Sequence, residues 1–194
     1  MTKNITGTFT TMGASNHSKH PREENDYYAT DPLAITLLDK HGLLDKDIGY
    51  WECACGDGAL SKELERLGYR VSKNTDLFNR GYGEIGIDFL ECNDVFNGNI
   101  ITNPPFTLLN EFIIKGLELA NNKLYIFGRI QTLETIGRWN KIFKDNKPSW
   151  VCPFVKRIKC YSSSHEIKSS AVCYAWFIWD NTIDNEDTLV KWLI

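Results

Sequence analysis

Short apolar runs and helical periodicities alternate along this 194-residue chain. Continuous or alternating apolar runs predict strands at residues 48–53, 70–76, 84–88, 98–103, 123–129, 150–160 and 171–179. Apolar positions spaced three or four residues apart predict helices at residues 32–41, 58–67, 107–120 and 133–145. Alternation of strands and helices is typical of a largely parallel sheet that carries helices on both faces.

These elements predict a single-domain, doubly wound (Rossmann-like) α/β fold with a mostly parallel, seven-stranded sheet. The last two strands, at residues 150–160 and 171–179, should form the antiparallel edge of this sheet, so we expect an antiparallel C-terminal strand. Residues 77–97 are too few for two full crossover helices, so turns should replace the helices there. Residues 1–24 have little apolar content and predict a flexible tail before a domain at residues 25–194.

Composition narrows the class of protein. The chain is long enough to bury a substantial core, and no apolar run approaches the length that spans a membrane. Residues 1–24 do not resemble a signal peptide, so we expect a cytoplasmic location and no membrane partner. The six cysteines include no Cys-x-x-Cys pair, which indicates reduced thiols and no metal site. We expect a monomer or a weak dimer.

The first functional signal is a glycine-containing turn after the predicted strand at 48–53. Gly56 and Gly58 precede a helix, and the next strand ends on Asp76. A strand, a glycine-rich bend and a helix N-terminus form the nucleotide-cofactor corner of open α/β sheets, where a following carboxylate can bind a ribose diol. A phosphate-binding loop is disfavoured, because no Gly-Lys-Ser/Thr follows and Asp57 would repel phosphate.

The second signal is Asn103-Pro104-Pro105-Phe106, which follows the strand at 98–103. Two prolines fix φ and remove two backbone donors, so nearby carbonyls lack local partners. The Asn103 amide oxygen and the Pro104 carbonyl can both accept from one planar amino group, and Phe106 offers a stacking face. Two such acceptors favour a pyramidal nitrogen and make a conjugated amine a better nucleophile. The alternative interpretation is a rigid proline turn that closes a core strand.

Together these motifs resemble the class I S-adenosylmethionine-dependent amino-methyltransferases, and most nearly the small phage and prophage DNA adenine-N6 methyltransferases. The resemblance covers residues 25–180. It rests on Asp26–Pro32, Glu52-x-Ala54-Cys55-Gly56-Asp57-Gly58, Asp76, Asp88-Phe89-Leu90, Asn103–Phe106, Lys123–Arg129 and Trp176–Trp179. It implies S-adenosyl-L-methionine as the cofactor and DNA as the substrate. The implied reaction is methylation of the adenine N6 amine after base flipping, as in restriction-modification systems.

The resemblance also implies roles for individual residues. Tyr28 and Thr30 would meet the methionine end of the cofactor, Asp76 its ribose, and Asp88 with Phe89 its adenine. The full set of implied cofactor contacts is Tyr28, Thr30, Glu52, Cys55, Gly56, Asp57, Gly58, Asp76, Leu77, Asp88, Phe89 and Asn103. The implied catalytic motif consists of Asn103, Pro104, Pro105 and Phe106. Ala54 stands where the family has a glycine, so its φ should be negative.

Charge is unevenly distributed along the chain. The net charge is −3, whereas residues 138–168 contain eight basic and two acidic residues, so this segment carries +6 and the rest carries −9. Such segregation favours a phosphate-facing surface, although a solvated helix and hairpin is the alternative. The interleaved aromatic residues, Trp139 among them, should belong to the core. The predicted DNA contacts are Arg138, Lys141, Lys156, Arg157 and Lys159.

Two other functions fit the same motifs. The first is methylation of an RNA base or a protein glutamine amide, since the proline motif identifies only a planar amine. The second is a non-catalytic, nucleic-acid-binding or anti-defence relative of the methyltransferases, against which the intact Gly56, Gly58, Asp76 and Asn103 argue. The sequence does not specify a recognition sequence.

Overall fold

Eight strands form the central sheet of the computed structural model, which describes residues 28–161, 172–184 and 186–194. The predicted tail at residues 1–24 lies outside the described residues. A separate two-stranded sheet pairs β1 (Ala29–Thr30) with β8 (Cys160–Tyr161). The strands of the central sheet are β2 (Tyr50–Glu52), β3 (Val71–Asp76), β4 (Glu84–Ile85), β5 (Asn99–Thr102), β6 (Lys123–Arg129), β7 (Trp150–Pro153), β9 (Tyr174–Asp180) and β10 (Leu189–Val190).

Helices cover both faces of this sheet. The α-helices of the described residues are α1 (Leu33–Lys40), α2 (Ala59–Arg66), α3 (Leu109–Leu119) and the single turn α4 (Ile136–Arg138). Single 3₁₀ turns occur at Phe89–Glu91, Phe106–Leu108 and Ile130–Leu133, and a π-helical turn covers Trp139–Phe143. The carboxylate of Asp31 accepts a hydrogen bond from the Leu33 N–H at 3.0 Å and so caps the start of α1.

The strand order is β10-β7-β9-β6-β5-β2-β3-β4. Strands β2 to β6 run parallel, and β9 runs antiparallel to both of its neighbours, β6 and β7. The predicted fold class is therefore confirmed, with two differences of detail. An eighth strand, β10, extends the sheet, and β9 lies inside the sheet instead of at its edge. The nearly continuous burial of β9 suits a strand that is covered on both faces.

Alternating side chains of β6 and β9 divide the core between the two faces of the sheet. On one face, Tyr125 and Phe127 pack in a cluster with the apolar residues of α1 and α2. On the other face, Leu124 and Ile126 pack in a cluster with α3. This two-sided burial fixes the register of the sheet, because a shift by one residue would exchange the faces of every side chain.

Two predicted elements differ from the structure. The strand predicted at 150–160 ends at Pro153, which lacks the N–H that a ladder needs, and beyond it an isolated bridge between Phe154 and Leu193 precedes β8. The helix predicted at 133–145 is shorter in the structure, where α4 and the π-helical turn together cover residues 136–143. The physical reason is Thr135, whose φ of 86° is incompatible with a helix and delays its start to Ile136.

The short connection between β3 and β5 is confirmed to hold turns in place of crossover helices. It contains only the two-residue β4 and the 3₁₀ turn at Phe89–Glu91. In the part of the chain that the structure describes, no helix is both long and apolar enough to cross a membrane. Within those same residues, no three histidine, cysteine or acidic side chains cluster as metal ligands would.

Candidate active site

A cavity of about 490 Å³ opens at the carboxyl ends of β2, β3 and β5. Small-molecule sites usually measure roughly 300–1,000 Å³. The structure brings most of the predicted site residues to its walls, whereas Gly58, Pro104 and Phe106 do not line it. The predicted residues that do are Tyr28, Thr30, Glu52, Cys55, Gly56, Asp57, Asp76, Leu77, Asp88, Phe89, Asn103 and Pro105.

The glycine turn between β2 and α2 depends on left-handed backbone. Gly56 has a φ of 57° and Gly58 a φ of 81°, a region that side chains disfavour. A Cβ atom at Gly58 would also lie 2.5 Å from the ring of Tyr82, which packs across the turn. Ala54, which replaces a glycine of the resembled family, does not have a positive φ. The turn therefore accepts alanine at this position without strain.

Asp76 ties the glycine turn to the end of β3. Its Oδ2 accepts a hydrogen bond from the Gly56 N–H and its Oδ1 accepts one from the Phe78 N–H, both at 2.8 Å. The side chain is nearly buried, yet each carboxylate oxygen keeps lone-pair capacity for a further donor. Asp76 is consequently a fixed acceptor on the cavity wall.

Glu52, the last residue of β2, is a buried carboxyl group on the same wall. It accepts hydrogen bonds from the N–H of Ser61 at 3.1 Å and from the Ser61 hydroxyl. Burial raises the pKa of Glu52 to about 8, the Ser61 bonds oppose this rise, and the nearby Asp57 and Asp76 add to it. The carboxyl group is therefore mainly protonated at neutral pH until a cation approaches it.

Asn103, directly after β5, has an uncommitted amide oxygen. Its Nδ2 donates to the Tyr28 carbonyl at 2.9 Å and to the Thr30 hydroxyl at 2.8 Å. A backbone carbonyl can only accept, so this contact fixes which end of the amide faces β1. The opposite atom, Oδ1, is buried and has no hydrogen-bond partner among the described residues. Buried acceptors are normally satisfied, which makes this oxygen a candidate contact for an amine.

A series of aromatic rings starts at Tyr28, which lines the cavity, and continues through residues that do not line it. Phe106 lies nearly parallel to Tyr28 and Tyr174, with centroid separations of 6.1 Å and 6.0 Å, and Phe127 continues the series 5.0 Å from Tyr174. The guanidinium of Arg129 lies 5.0 Å from the Phe106 centroid. We call the surface formed by Phe106, Arg129 and Tyr174 the ring side of the site.

Sequence reasoning did not identify Arg129 or Tyr174. The two residues are cross-strand partners at the last position of β6 and the first of β9. A signal for Arg129 existed, since residues that follow the carboxyl ends of parallel strands line ligand crevices. No comparable signal exists for Tyr174, because its strand runs in the opposite direction.

Comparison with solved structures identifies the fold. The chain superposes on a candidate class I S-adenosylmethionine-dependent methyltransferase from Listeria monocytogenes with a TM-score of 0.62, at 15% identity, over 90% of this chain and 68% of that one. The fold is that of the class I methyltransferases. No protein-family model and no curated protein matches the sequence.

Two further structures share the methyltransferase fold. The methyltransferase subunit of a type I restriction-modification system from Streptococcus thermophilus gives a TM-score of 0.60 at 11% identity, over 87% of this chain. The chain spans 48% of that subunit, about half its length. A candidate RNA methyltransferase from Pyrococcus horikoshii gives 0.57 at 15% identity, over 76% of this chain and 81% of that one.

The predicted DNA contacts occupy three different positions on the methyltransferase fold. Lys156, Arg157 and Lys159 are exposed, and the Lys159 carbonyl accepts from the Asp31 N–H at 3.2 Å, so this segment lies beside β1. Lys141 is exposed on the π-helical turn beside α3. The end of the basic segment, residues 162–168, lies outside the described residues.

Arg138, another of the predicted contacts, has a guanidinium that bonds within the protein. Its Nε donates to Asn110 Oδ1 at 2.7 Å and its terminal nitrogen to the Thr132 carbonyl at 2.9 Å. We therefore assign Arg138 to bracing of its loop rather than to phosphate contact. Trp139 corrects another expectation, since its side chain is 45% exposed instead of belonging to the core.

Proposed function

We propose that this protein is an S-adenosylmethionine-dependent methyltransferase that acts on the N6 amine of adenine in DNA. The observation that carries the proposal is the buried, uncommitted Oδ1 of Asn103 at the edge of a cavity in a methyltransferase fold. An amino group that approaches this oxygen would satisfy an acceptor that nothing else among the described residues satisfies.

The cavity chemistry suits this cofactor. Its lining includes the carboxyl groups of Glu52, Asp57, Asp76 and Asp88, against the single cation Arg80. Such a lining favours a ligand that carries a sulfonium and an ammonium group, and it disfavours a phosphate. Asp76 would hold the ribose and Glu52 would lie near a cationic group. When bound, the cofactor supplies a methyl group on a sulfonium, which is already an activated leaving group.

The work of the protein is then positioning of the amine. Asn103 Oδ1 accepts one amine hydrogen and the Pro104 carbonyl accepts the other, which turns the nitrogen lone pair towards the methyl group. Tyr28 and Thr30 keep the amide in this orientation through their bonds to Nδ2. A strong base is not required, because the amine becomes acidic as it gains positive charge and then loses its proton to water.

Nucleic acid is the substrate class that the ring side favours. Phe106 belongs to a stacked series of rings with Tyr28 and Tyr174, and an unpaired base that extends this series would gain roughly 1–3 kcal/mol from stacking. The exposed Lys156, Arg157 and Lys159 lie beside β1 and can meet phosphates. In duplex DNA the adenine amine is paired, so the base must leave the helix before it reaches Asn103.

The deciding experiment supplies isotope-labelled S-adenosylmethionine to the protein with unmethylated DNA, RNA or a protein extract in separate reactions. Mass spectrometry of the nucleosides should find N6-methyladenine in the DNA, and Asn103→Ala should strongly slow its formation. Label in RNA or in glutamine amides would instead support one of the alternative substrates. Cofactor binding without label in any of the three would indicate a non-catalytic relative.

A further inference from the structure

Residues 130–139, which we call the β6 loop, expose large apolar side chains to solvent. Leu133, Ile136 and Trp139 have exposed fractions of 46%, 74% and 45%. Ile136 is the most exposed large apolar side chain of the residues that the structure describes. Three such side chains on one short segment beside a functional site usually mark a contact surface.

The β6 loop is braced from within. The guanidinium of Arg138 donates to the carbonyls of Gln131 and Thr132, at 3.3 Å and 2.9 Å, and to Asn110 Oδ1 at the start of α3. Asn110 follows Phe106 by only four residues, so Arg138 joins the loop after β6 to the loop that holds the proline motif. Several hydrogen bonds from one planar guanidinium restrict the conformation of the loop.

Backbone strain at the tip of the β6 loop indicates that the surrounding structure imposes the conformation of the tip. Thr135 has a φ of 86° and a ψ of 133°, and it is the only non-glycine residue with a positive φ among those described. Such a conformation is unfavourable for a β-branched residue and usually persists at functional positions. The Thr135 hydroxyl accepts from the Arg138 N–H at 3.3 Å, so the brace also holds the strained residue that precedes Ile136.

The position and charge of the loop indicate what it meets. Arg129, whose guanidinium lies on the Phe106 ring, directly precedes the loop, so the loop starts at the ring side of the site. Residues 129–144 contain four basic residues and one acidic residue, and Arg129, Lys141 and Lys144 are exposed. An apolar tip flanked by cations is complementary to a polyanion that has an apolar interior, which describes a nucleic-acid duplex.

We infer that the β6 loop is a wedge that enters the base stack of duplex DNA, with Ile136 filling the space that the flipped adenine leaves. Apolar side chains that insert between base steps unstack them, and the inserted side chain replaces part of the lost stacking. Arg138 acts as a positioning residue for the wedge. The inference rests on the proposed function, because it assigns a role only in the capture of a target base from a duplex.

The test compares one DNA preparation in its native duplex form and after heat denaturation, with single-turnover methyl transfer as the readout. Because extrusion of a paired base costs a few kcal/mol, Ile136→Ala should slow transfer to the duplex by about tenfold or more. The same variant should leave transfer to denatured DNA within about twofold of wild type, since no base pair has to open. Ile136→Leu should retain the duplex rate, because it restores an apolar side chain of the same volume.

Ile183→Ala is the matched control. Ile183 is an isoleucine that is 48% exposed and follows β9. The last residue of β9 pairs with the first residue of β6, so Ile183 follows the end of the sheet opposite the site. This variant should leave both rates unchanged. Unaltered thermal unfolding and cofactor affinity of Ile136→Ala would show that its fold is intact.

Equal losses on duplex and denatured DNA, or no loss on either, would overturn the wedge while leaving the proposed function in place. A loss of duplex activity in Ile136→Leu as large as in Ile136→Ala would also overturn it. A wild-type protein that forms no N6-methyladenine on either DNA would overturn the proposed function itself, and the wedge with it.

Discussion

The two sides of Asn103 are built in different ways. The cavity side consists mainly of segments close together in the sequence, from β2 to the 3₁₀ turn at Phe89–Glu91, and residues 28–30 and 103–112 complete its walls. The charged residues of these walls are mainly acidic. The ring side and its surroundings combine β1, the end of β6, the start of β9 and residues 156–159, and its exposed charges are mainly basic.

This difference matches two ligands of opposite charge. Carboxyl groups around an enclosed cavity suit a small cation and repel phosphates, whereas exposed lysines and arginines attract a polyanion. Asn103 lies between the two sides and bonds to β1 through one end of its amide. Under the proposed function, the separation of charge would favour the cofactor on the cavity side and the nucleic acid on the ring side.

The largest expected effect on methyl transfer comes from Asn103, which lies between the two sides. Asn103→Ala should lower single-turnover methyl transfer on the order of 10²–10³-fold, because the lost acceptor acts mainly on the transition state. Cofactor affinity, measured by calorimetry, should stay near the wild-type value. A rate close to wild type in this variant would remove Asn103 Oδ1 from the reaction.

Asn103→Asp sharpens the same test. From the sequence alone this change should be mild, since a carboxylate supplies the same acceptor. In the structure, the second carboxylate oxygen would face the Tyr28 carbonyl, which cannot donate a hydrogen bond. We therefore expect an intermediate rate, and a fully active Asn103→Asp would show that the orientation set by Tyr28 is unimportant.

A change at Asp76 should affect the cavity side alone. Asp76→Ala should weaken S-adenosylmethionine binding by roughly 1–3 kcal/mol, because it removes an acceptor and leaves the Gly56 and Phe78 amides without their partner. DNA affinity in the absence of cofactor should be unchanged. Calorimetry that finds wild-type cofactor affinity, or anisotropy that finds weakened DNA binding, would break the comparison.

The raised pKa of Glu52 predicts a pH dependence of stability. Between its ordinary value of 4.5 and about 8, the folded protein holds a proton that the unfolded chain releases. Stability should therefore fall as pH rises through this range, by up to about 1.4 kcal/mol per pH unit. Chemical denaturation at several pH values should show this loss in the wild type and a flatter profile in Glu52→Gln. Identical profiles would mean that Glu52 is charged in the folded protein.

The smallest effect per residue is expected from the basic segment. Replacing Lys156, Arg157 and Lys159 with glutamine should reduce the log–log salt slope of DNA binding by up to about 2.7, while cofactor affinity stays constant. Arg138→Met is the control, because its guanidinium already bonds within the β6 loop and should leave the slope unchanged. A reduced salt slope in Arg138→Met would instead support the phosphate contact that the charge pattern predicts for Arg138.

Local features of the sequence predicted the cavity side well. The glycine turn, Asp76 and the proline motif are each contiguous, and each follows a strand whose apolar run is clear. Because parallel strands end at the same edge of a sheet, these motifs had to lie close together once the fold class was recognised. For the same reason, most of the residues predicted to contact the cofactor line one cavity.

The ring side could not be derived in this way. Tyr174 reaches Phe106 only because β9 inserts between β6 and β7 in the antiparallel direction, which brings its first residue to the end of β6. The predicted helix at 133–145 starts only at Ile136, because Thr135 has a positive φ and the Arg138 guanidinium bonds the carbonyls of the preceding turn. Neither contact has a periodicity or a fixed spacing that a sequence could reveal.

The sequence by itself thus determined the fold class, the glycine turn and the uncommon Asn-Pro-Pro-Phe acceptor motif, because backbone restriction and burial periodicity are local properties. Only the tertiary structure decided which atom of Asn103 is left to accept an amine. That choice depends on the Tyr28 carbonyl, 75 residues away along the chain and 2.9 Å away in space.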